Sequence, residues 1–170
     1  MAAPAPRLVT DPTDLARLRR CVELAREALE DGDEPFGSLL VDPSGTVVLE
    51  DRNRVKDGDR TRHPELAIAL WAAQHMPAED RAASVVYTSG EHCAMCSAAH
   101  AWAGLGRIVY ATSTEQLVGW HREWGVAPGP VTPLPIGAVA PHLDVVGPAE
   151  PLVVEVRSLH AALHGVGAGA

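Results

Sequence analysis

Thr88-Ser89-Gly90-Glu91-His92-Cys93-Ala94-Met95-Cys96 joins a β-branched apolar run to an Ala-rich one, and its reading decides the fold. The run before it, Ser84-Val85-Val86-Tyr87-Thr88, reads as a buried strand. Residues 93–103 read as a packed helix closed by Gly104 and Gly106. Cys93 and Cys96 stand three apart, so within a first helical turn both sulfurs face one side. The positive end of a helix favours thiolates there. His63-Pro64-Glu65 also lies where a loop enters a predicted helix, because Leu66, Ala69, Leu70 and Ala73 keep helical spacing up to Met76 and Pro77 ends it. Two thiolates and one imidazole make three ligands for Zn2+. They leave a fourth position for water, the pattern of a catalytic zinc rather than a structural one. Glu65, two residues past His63, comes near such a metal without ligating it. There it takes a proton from bound water and returns it to a leaving amine.

Outward from these segments the period changes several times. Residues 14–30 are helical, with Leu15, Leu18, Val22, Ala25 and Leu29 on one face and Gly32 as a stop. Residues 36–41 and 46–50, separated by Asp42-Pro43-Ser44-Gly45, read as a hairpin. Residues 107–111 are a further strand and 112–124 a short helix. Residues 136–140 are a short strand within the Pro/Gly-punctuated stretch 125–148. Leu152, Val156, Leu159 and Leu163 mark a terminal helix. Strands alternating with helices after an opening hairpin predict an α/β fold: three layers, α/β/α, with a mixed central sheet of about five strands. A single domain is expected over residues 11–164, with loose tails at 1–10 and 165–170.

The chain has 170 residues, 46% hydrophobic and 21% charged, which suits one core and is too short for two ordinary domains. A net charge of −8 disfavours a dedicated nucleic-acid binder. The basic loop of Arg52, Arg54, Lys56, Arg60 and Arg62 is interleaved with Asp51, Asp57 and Asp59, and reads as a solvated loop rather than a phosphate grip. Three cysteines exclude a disulfide scaffold. Residues 1–10 lack the apolar core of a secretory signal, and the longest clean apolar stretch, 66–73, is too short for a bilayer. A cytoplasmic protein with reduced thiols and no membrane partner is expected.

His-x-Glu followed by Pro-Cys-x-x-Cys is the signature of zinc deaminases, and with His92 in place of that Pro the sequence resembles the cytidine-deaminase-like superfamily. Within it, the likeness is to the small bacterial guanine deaminases and related nucleobase deaminases. The resemblance covers residues 11–112. Glu34-Pro35-Phe36-Gly37-Ser38 resembles the family's Pro-Phe-Gly opening to the first strand. Asn53 stands where the family has a base-contacting asparagine, and Trp102 where the guanine-deaminase branch has a tryptophan bordering the base. The resemblance implies Zn2+ on His63, Cys93 and Cys96, Glu65 as proton shuttle, and Asn53, Phe36 and Trp102 as substrate contacts. It also implies a homodimer, with residues 125–148 or the terminal helix crossing to the partner. Two positions depart from the pattern. Pro64 replaces an Ala whose amide in relatives donates to a substrate carbonyl, and His92 replaces a Pro before the first cysteine.

The implied reaction is hydrolytic deamination of a small amino-substituted heterocyclic base (guanine, cytosine or a triazine-like ring) with release of ammonia. One alternative is a tRNA adenosine deaminase. Another is a thiol-disulfide oxidoreductase or redox sensor using the Cys93/Cys96 pair. Cys21 reads as a core residue rather than a fourth ligand. His75, His142, His160 and His164 read as surface or second-layer residues. Residues 120–124 (Trp-His-Arg-Glu-Trp) suit either a lid over the site or an ordinary amphipathic turn.

Overall fold

Asp11 opens the first helix: its carboxylate accepts from the backbone N–H groups of Thr13 (2.8 Å) and Asp14 (3.1 Å). Pro12 follows at the first helical position, where its missing N–H has no intrahelical partner to lose. The structure, a computed structural model, describes residues 7–167. Helix α1 (Pro12–Glu30) leads into the hairpin of β1 (Gly37–Val41) and β2 (Val47–Arg52), and then into α2 (Pro64–His75), α3 (Ala78–Ala83) and β3 (Val85–Gly90). After them come α4 (Ala94–Ala103), β4 (Arg107–Thr112), α5 (Thr114–Glu123), α6 (Ile136–Val139), β5 (Val145–Val146) and α7 (Glu150–Leu163).

The sheet order is β2-β1-β3-β4-β5. β1 is antiparallel to both β2 and β3, whereas β3, β4 and β5 run parallel. Every residue of β1 is buried, because successive side chains point to opposite faces and both faces are covered. Leu39, Val41, Tyr87 and Val109 pack with Leu18 and Val22 of α1 and Leu152 and Val156 of α7. Leu40 and Val86 pack on the other face with Ile68, Ala69 and Ala72 of α2. Ile68 is fully buried there, and an Ile68→Ala cavity would cost about 2–5 kcal/mol. A Cβ at Gly37 would lie 2.4 Å from Leu24 Cβ and 2.5 Å from the Cys21 carbonyl oxygen, so only glycine lets α1 cross β1 this closely.

The three-layer α/β/α fold with a mixed five-stranded sheet agrees with the sequence pattern. Three local expectations are corrected. Residues 136–140 form the short helix α6 rather than a strand, because Pro135 caps a helical turn with Ile136 buried beneath it. The fifth strand is Val145–Val146 instead. Residues 7–10 are part of the fold: Val9 is buried, its N–H donates to the Pro148 carbonyl (3.1 Å), and Arg7 bridges Val146. Expected tail residues 1–6 and 168–170 lie outside the described residues, and Val166 N–H donates to the Ala161 carbonyl to close α7. The apolar face of α7 is covered by α1 of the same chain, so it does not require a partner's surface.

Candidate active site

Helices α2 and α4 begin at the same end of the sheet, with His63 and Cys93 as their N-caps. Neither side chain caps its own helix, so both are available to other partners. His63 Nδ1 lies 3.7 Å from Cys93 Sγ and 3.6 Å from Cys96 Sγ. All three donor atoms fall within 4.8 Å of one another, the one such group of His, Cys, Asp or Glu among the described residues. A tetrahedron with Zn–S of about 2.3 Å and Zn–N of about 2.0 Å has S···N edges of about 3.6 Å, which the two sulfur-to-nitrogen spacings match. The Cys96 thiol beside it, and then His63, pull Cys93 down to about 4. Cys93 in turn, and burial after it, push Cys96 far up. Two sulfurs competing for one negative charge are two thiolates when a cation neutralises them. His63 is raised, first by its contact with Cys93.

Glu65 sits on the first turn of α2 and is buried. Its two oxygens have different surroundings. Oε1 accepts from Ser38 Oγ (3.0 Å) and Thr88 Oγ1 (2.9 Å), which stand opposite each other in the β1–β3 register. Oε2 lies 3.7 Å from Cys96 Sγ, on the side of the His/Cys/Cys group. Burial pushes this carboxyl above its ordinary range; His63 first, and the hydroxyls of Thr88 and Ser38 less strongly, oppose the rise. One oxygen is thus anchored and the other presented, the arrangement a proton carrier needs.

Above this group opens a cavity of about 440 Å³. Its inner end holds His63, Glu65 and Cys93. Its walls are Phe36, residues of α5 (Leu117, Val118, His121, Arg122) and the connection between α5 and α6. Phe36 lies over Gly90, where a Cβ would come within 2.9 Å of its ring, and packs edge-on against buried His160 (5.0 Å). Glu91 ties the walls together. Its carboxylate accepts from Thr114 N–H (2.7 Å) at the start of α5 and from Ile136 N–H (2.8 Å) at the start of α6.

The structure brings His63, Glu65, Cys93, Cys96 and Phe36 together. Asn53 is fully buried; its Oδ1 accepts from Val55 N–H (3.1 Å), its Nδ2 has no partner, and it is not part of the cavity wall. Trp102 departs from expectation: at the far end of α4 it is 91% exposed and takes no part in the cavity wall. His92 is buried against His100 and is not in the donor group, and both its ring nitrogens lack partners. Cys21 is buried in the core and is not one of that group. Trp120 and Trp124 turn toward the core while His121 and Arg122 face the cavity, so this segment is a wall rather than a separate flap. In the basic loop Arg52 pairs with Asp31, Arg54 with Asp51 and Arg60 with Glu34, and Lys56 Nζ donates to the Asp31 carbonyl. The sequence pattern alone did not single out Ser38, Thr88, Glu91 or His121. Hydroxyls within apolar strands were the available signal for the first two.

No helix among the described residues is long and apolar enough to cross a membrane. The chain is 37% identical over 142 residues to a probable cytosine deaminase of Schizosaccharomyces pombe, covering 79% of this chain and 83% of that one. It is 33% identical over 87 residues to a tRNA-specific adenosine deaminase of Agrobacterium fabrum, covering 51% of this chain and 57% of that one. A solved guanine deaminase from Nitrosomonas europaea superposes with a TM-score of 0.65 at 20% identity, covering 94% of this chain and 88% of that one; it shares the fold. The sequence model of the family described as cytidine and deoxycytidylate deaminase zinc-binding region matches residues 12–112, the span that carries His63, Glu65, Cys93 and Cys96, and the chain belongs to that family.

Proposed function

We propose that this protein is a zinc-dependent aminohydrolase that deaminates a small amino-substituted heterocycle of the guanine, cytosine or triazine type, with release of ammonia. The carrying observation is the placement of Glu65: Oε1 held by Ser38 and Thr88, Oε2 beside the His63/Cys93/Cys96 group. Those three residues hold the metal, which when bound supplies an activated water near neutral pH. Water adds to the ring carbon bearing the amine, and that carbon's bond to nitrogen breaks. The sequence needs one proton removed from the water and one delivered to the departing nitrogen. Glu65 Oε2 serves both transfers: burial raises its pKa, which strengthens the carboxylate as the base that takes the first proton, and the same oxygen then returns that proton to the departing nitrogen. The tetrahedral carbon carrying hydroxyl and amine is the species the site binds best. Phe36 offers a ring to the substrate. Pro64 supplies no N–H at the start of α2, so a ring carbonyl is not held from that position.

The paired charges of the basic loop favour a small substrate over tRNA. Free thiols suit a cytoplasmic setting. A homodimer belongs to this reading: Leu70 on α2 and Trp102 on α4, neighbouring helices, are 55% and 91% exposed, and a second copy would cover them. Light scattering that reports a monomer at micromolar concentration removes that part. The main test is zinc content together with ammonia release from free bases, nucleosides and tRNA stem-loops. Stoichiometric zinc and turnover of free bases are expected. A metal-free active preparation, or salt-sensitive turnover of RNA alone, overturns the proposal.

A further inference from the structure

The cavity above Glu65 has two ends of different chemistry. Its inner end is polar and holds His63, Glu65 and Cys93. The rest of its lining is mainly apolar, with Leu117 and Val118 on α5 and Val126, Val131 and Leu134 on the following connection, and Thr114, His121, Arg122 and Thr132 as the polar side chains among them. A bare one- or two-ring base seated with its amine-bearing carbon at Glu65 Oε2 fills only part of about 440 Å³. That volume belongs to pockets for larger organic molecules, roughly 300–1,000 Å³. Val131 and Leu134 are 56% and 38% exposed, so part of the wall is open to a ligand group extending outward. The wall is also anchored: Glu91 accepts from Thr114 N–H and Ile136 N–H, one at each end of the segment that carries these side chains. A preorganised apolar wall binds without first being ordered.

The charges argue in the same direction. Arg122, at the exposed rim, is the one Lys or Arg in the lining, and the lining carboxylates are Glu65 and Glu91. A nucleotide or RNA backbone would need several cations at this mouth. A ribose would meet valine, leucine and proline side chains, with Thr114, His121, Arg122 and Thr132 the polar side chains between them.

We infer that the substrate is an amino-heterocycle carrying an apolar substituent, a short alkyl or aryl group, on the side of the ring away from the reacting amine. The substituent lies between α5 and residues 126–134, while the ring lies at Phe36 and Glu65. This inference rests on the deaminase reading above and names the substrate class for that site.

The test uses the full zinc-loaded chain and matched probes: guanine, 9-butylguanine and guanosine; cytosine, 1-butylcytosine and cytidine; 2,4-diamino-1,3,5-triazine and its 6-butyl derivative. Ammonia release gives kcat/KM for each. Calorimetry on the zinc-loaded Glu65→Gln variant gives Kd without turnover. Each buried methylene contributes about fourfold. In at least one series the butyl compound should therefore exceed its parent by about tenfold or more in both kcat/KM and affinity, and the ribosyl compound should not. Leu134→Ser should reduce that butyl-to-parent ratio by about threefold or more. Butyl and parent compounds within twofold of each other, or a preference for the ribosyl compound, overturn the inference and leave the deaminase reading standing. Ammonia from none of the probes, with zinc bound and the fold intact, overturns both.

Discussion

The two ends of the cavity are built by different means. The inner end rests on regular structure: two helix starts bring His63 and Cys93 together, and the register of β1 against β3 places Ser38 and Thr88 under Glu65. The outer wall is one helix, α5, and a connection of little regular structure between residues 124 and 135, tied down through Glu91. The boundary coincides with the family match, which ends at residue 112, before either wall segment begins. Groups for bond-breaking need tight positioning and sit on the scaffold. Groups that choose the substrate sit on segments that change without disturbing the sheet.

The strongest way to break this division is to remove the proposed proton carrier at the inner end. Glu65→Gln keeps the shape and both hydroxyl contacts but cannot act as a base. Turnover should fall by about 10³-fold or more, toward the upper end for general acid–base catalysis, with zinc and melting temperature retained. Near-normal kcat in a zinc-replete variant would remove Glu65 from the mechanism. One step weaker is the anchor. Ser38→Ala and Thr88→Val each take one donor from Oε1, and a hydrogen bond to a charged group contributes about 1.5–3 kcal/mol. Each should lower kcat by about tenfold or more. Because the lost donors favour the carboxylate, its pKa rises further, and the acid limb of the pH–kcat/KM profile moves to higher pH. A lower kcat with an unmoved limb would mean that these hydroxyls support only the strands.

The outer wall should answer differently. Glu91→Gln leaves one acceptor oxygen where two backbone N–H groups converge, so one of the two ties is lost. KM should rise about fivefold, as expected for the loss of roughly 1 kcal/mol of positioning, while kcat changes by less than twofold and zinc is kept. Proteolysis should speed up within residues 126–135 and nowhere else. A fall in kcat with KM unchanged would place Glu91 with the inner end and erase the distinction.

What the sequence disclosed follows the same line. His63/Glu65 and Cys93/Cys96 are local pairs, two and three residues apart, so their geometry is readable as soon as a helix start is recognised. Alternation of period gave the layers and four of the five strands. Ser38 and Thr88 are 50 residues apart, and their meeting is a matter of register. Glu91 lies inside the quoted motif, yet its role depends on Ile136, 45 residues on. Residues 136–140 look like a strand because they are apolar, but Pro133 and Pro135 remove ladder donors ahead of them and a helical turn results. β5 is only two residues long, too short for any period to show. Trp102 rested on resemblance, and resemblance did not predict that its side chain faces outward.

A separate effect, on stability rather than turnover, lies behind the wall at His160. Its imidazole packs edge-on against Phe36 and lies 6.3 Å from the Trp120 ring. Burial, then the neighbouring His121 and His164, pull its pKa down to about 3. The unfolded chain binds a proton there near the ordinary value of about 6.5. Between those two values the unfolded state holds more protons, so folding stability rises with pH across the window and is fully present above it. Falling from about pH 7.5 to 5.5 should therefore cost about 1.4 kcal/mol through this one residue. His92 and His100, also lowered by burial, add to the slope, and metal release at acid pH steepens it in the loaded protein. His160→Phe isolates the single contribution, since it keeps a ring against Phe36 and takes up no proton. Urea unfolding at both pH values should show the variant losing about 1.4 kcal/mol less than the parent, whatever its offset at neutral pH. Equal losses would mean that His160 accepts its proton in the folded state, and that the back of the wall is wetter than its burial indicates.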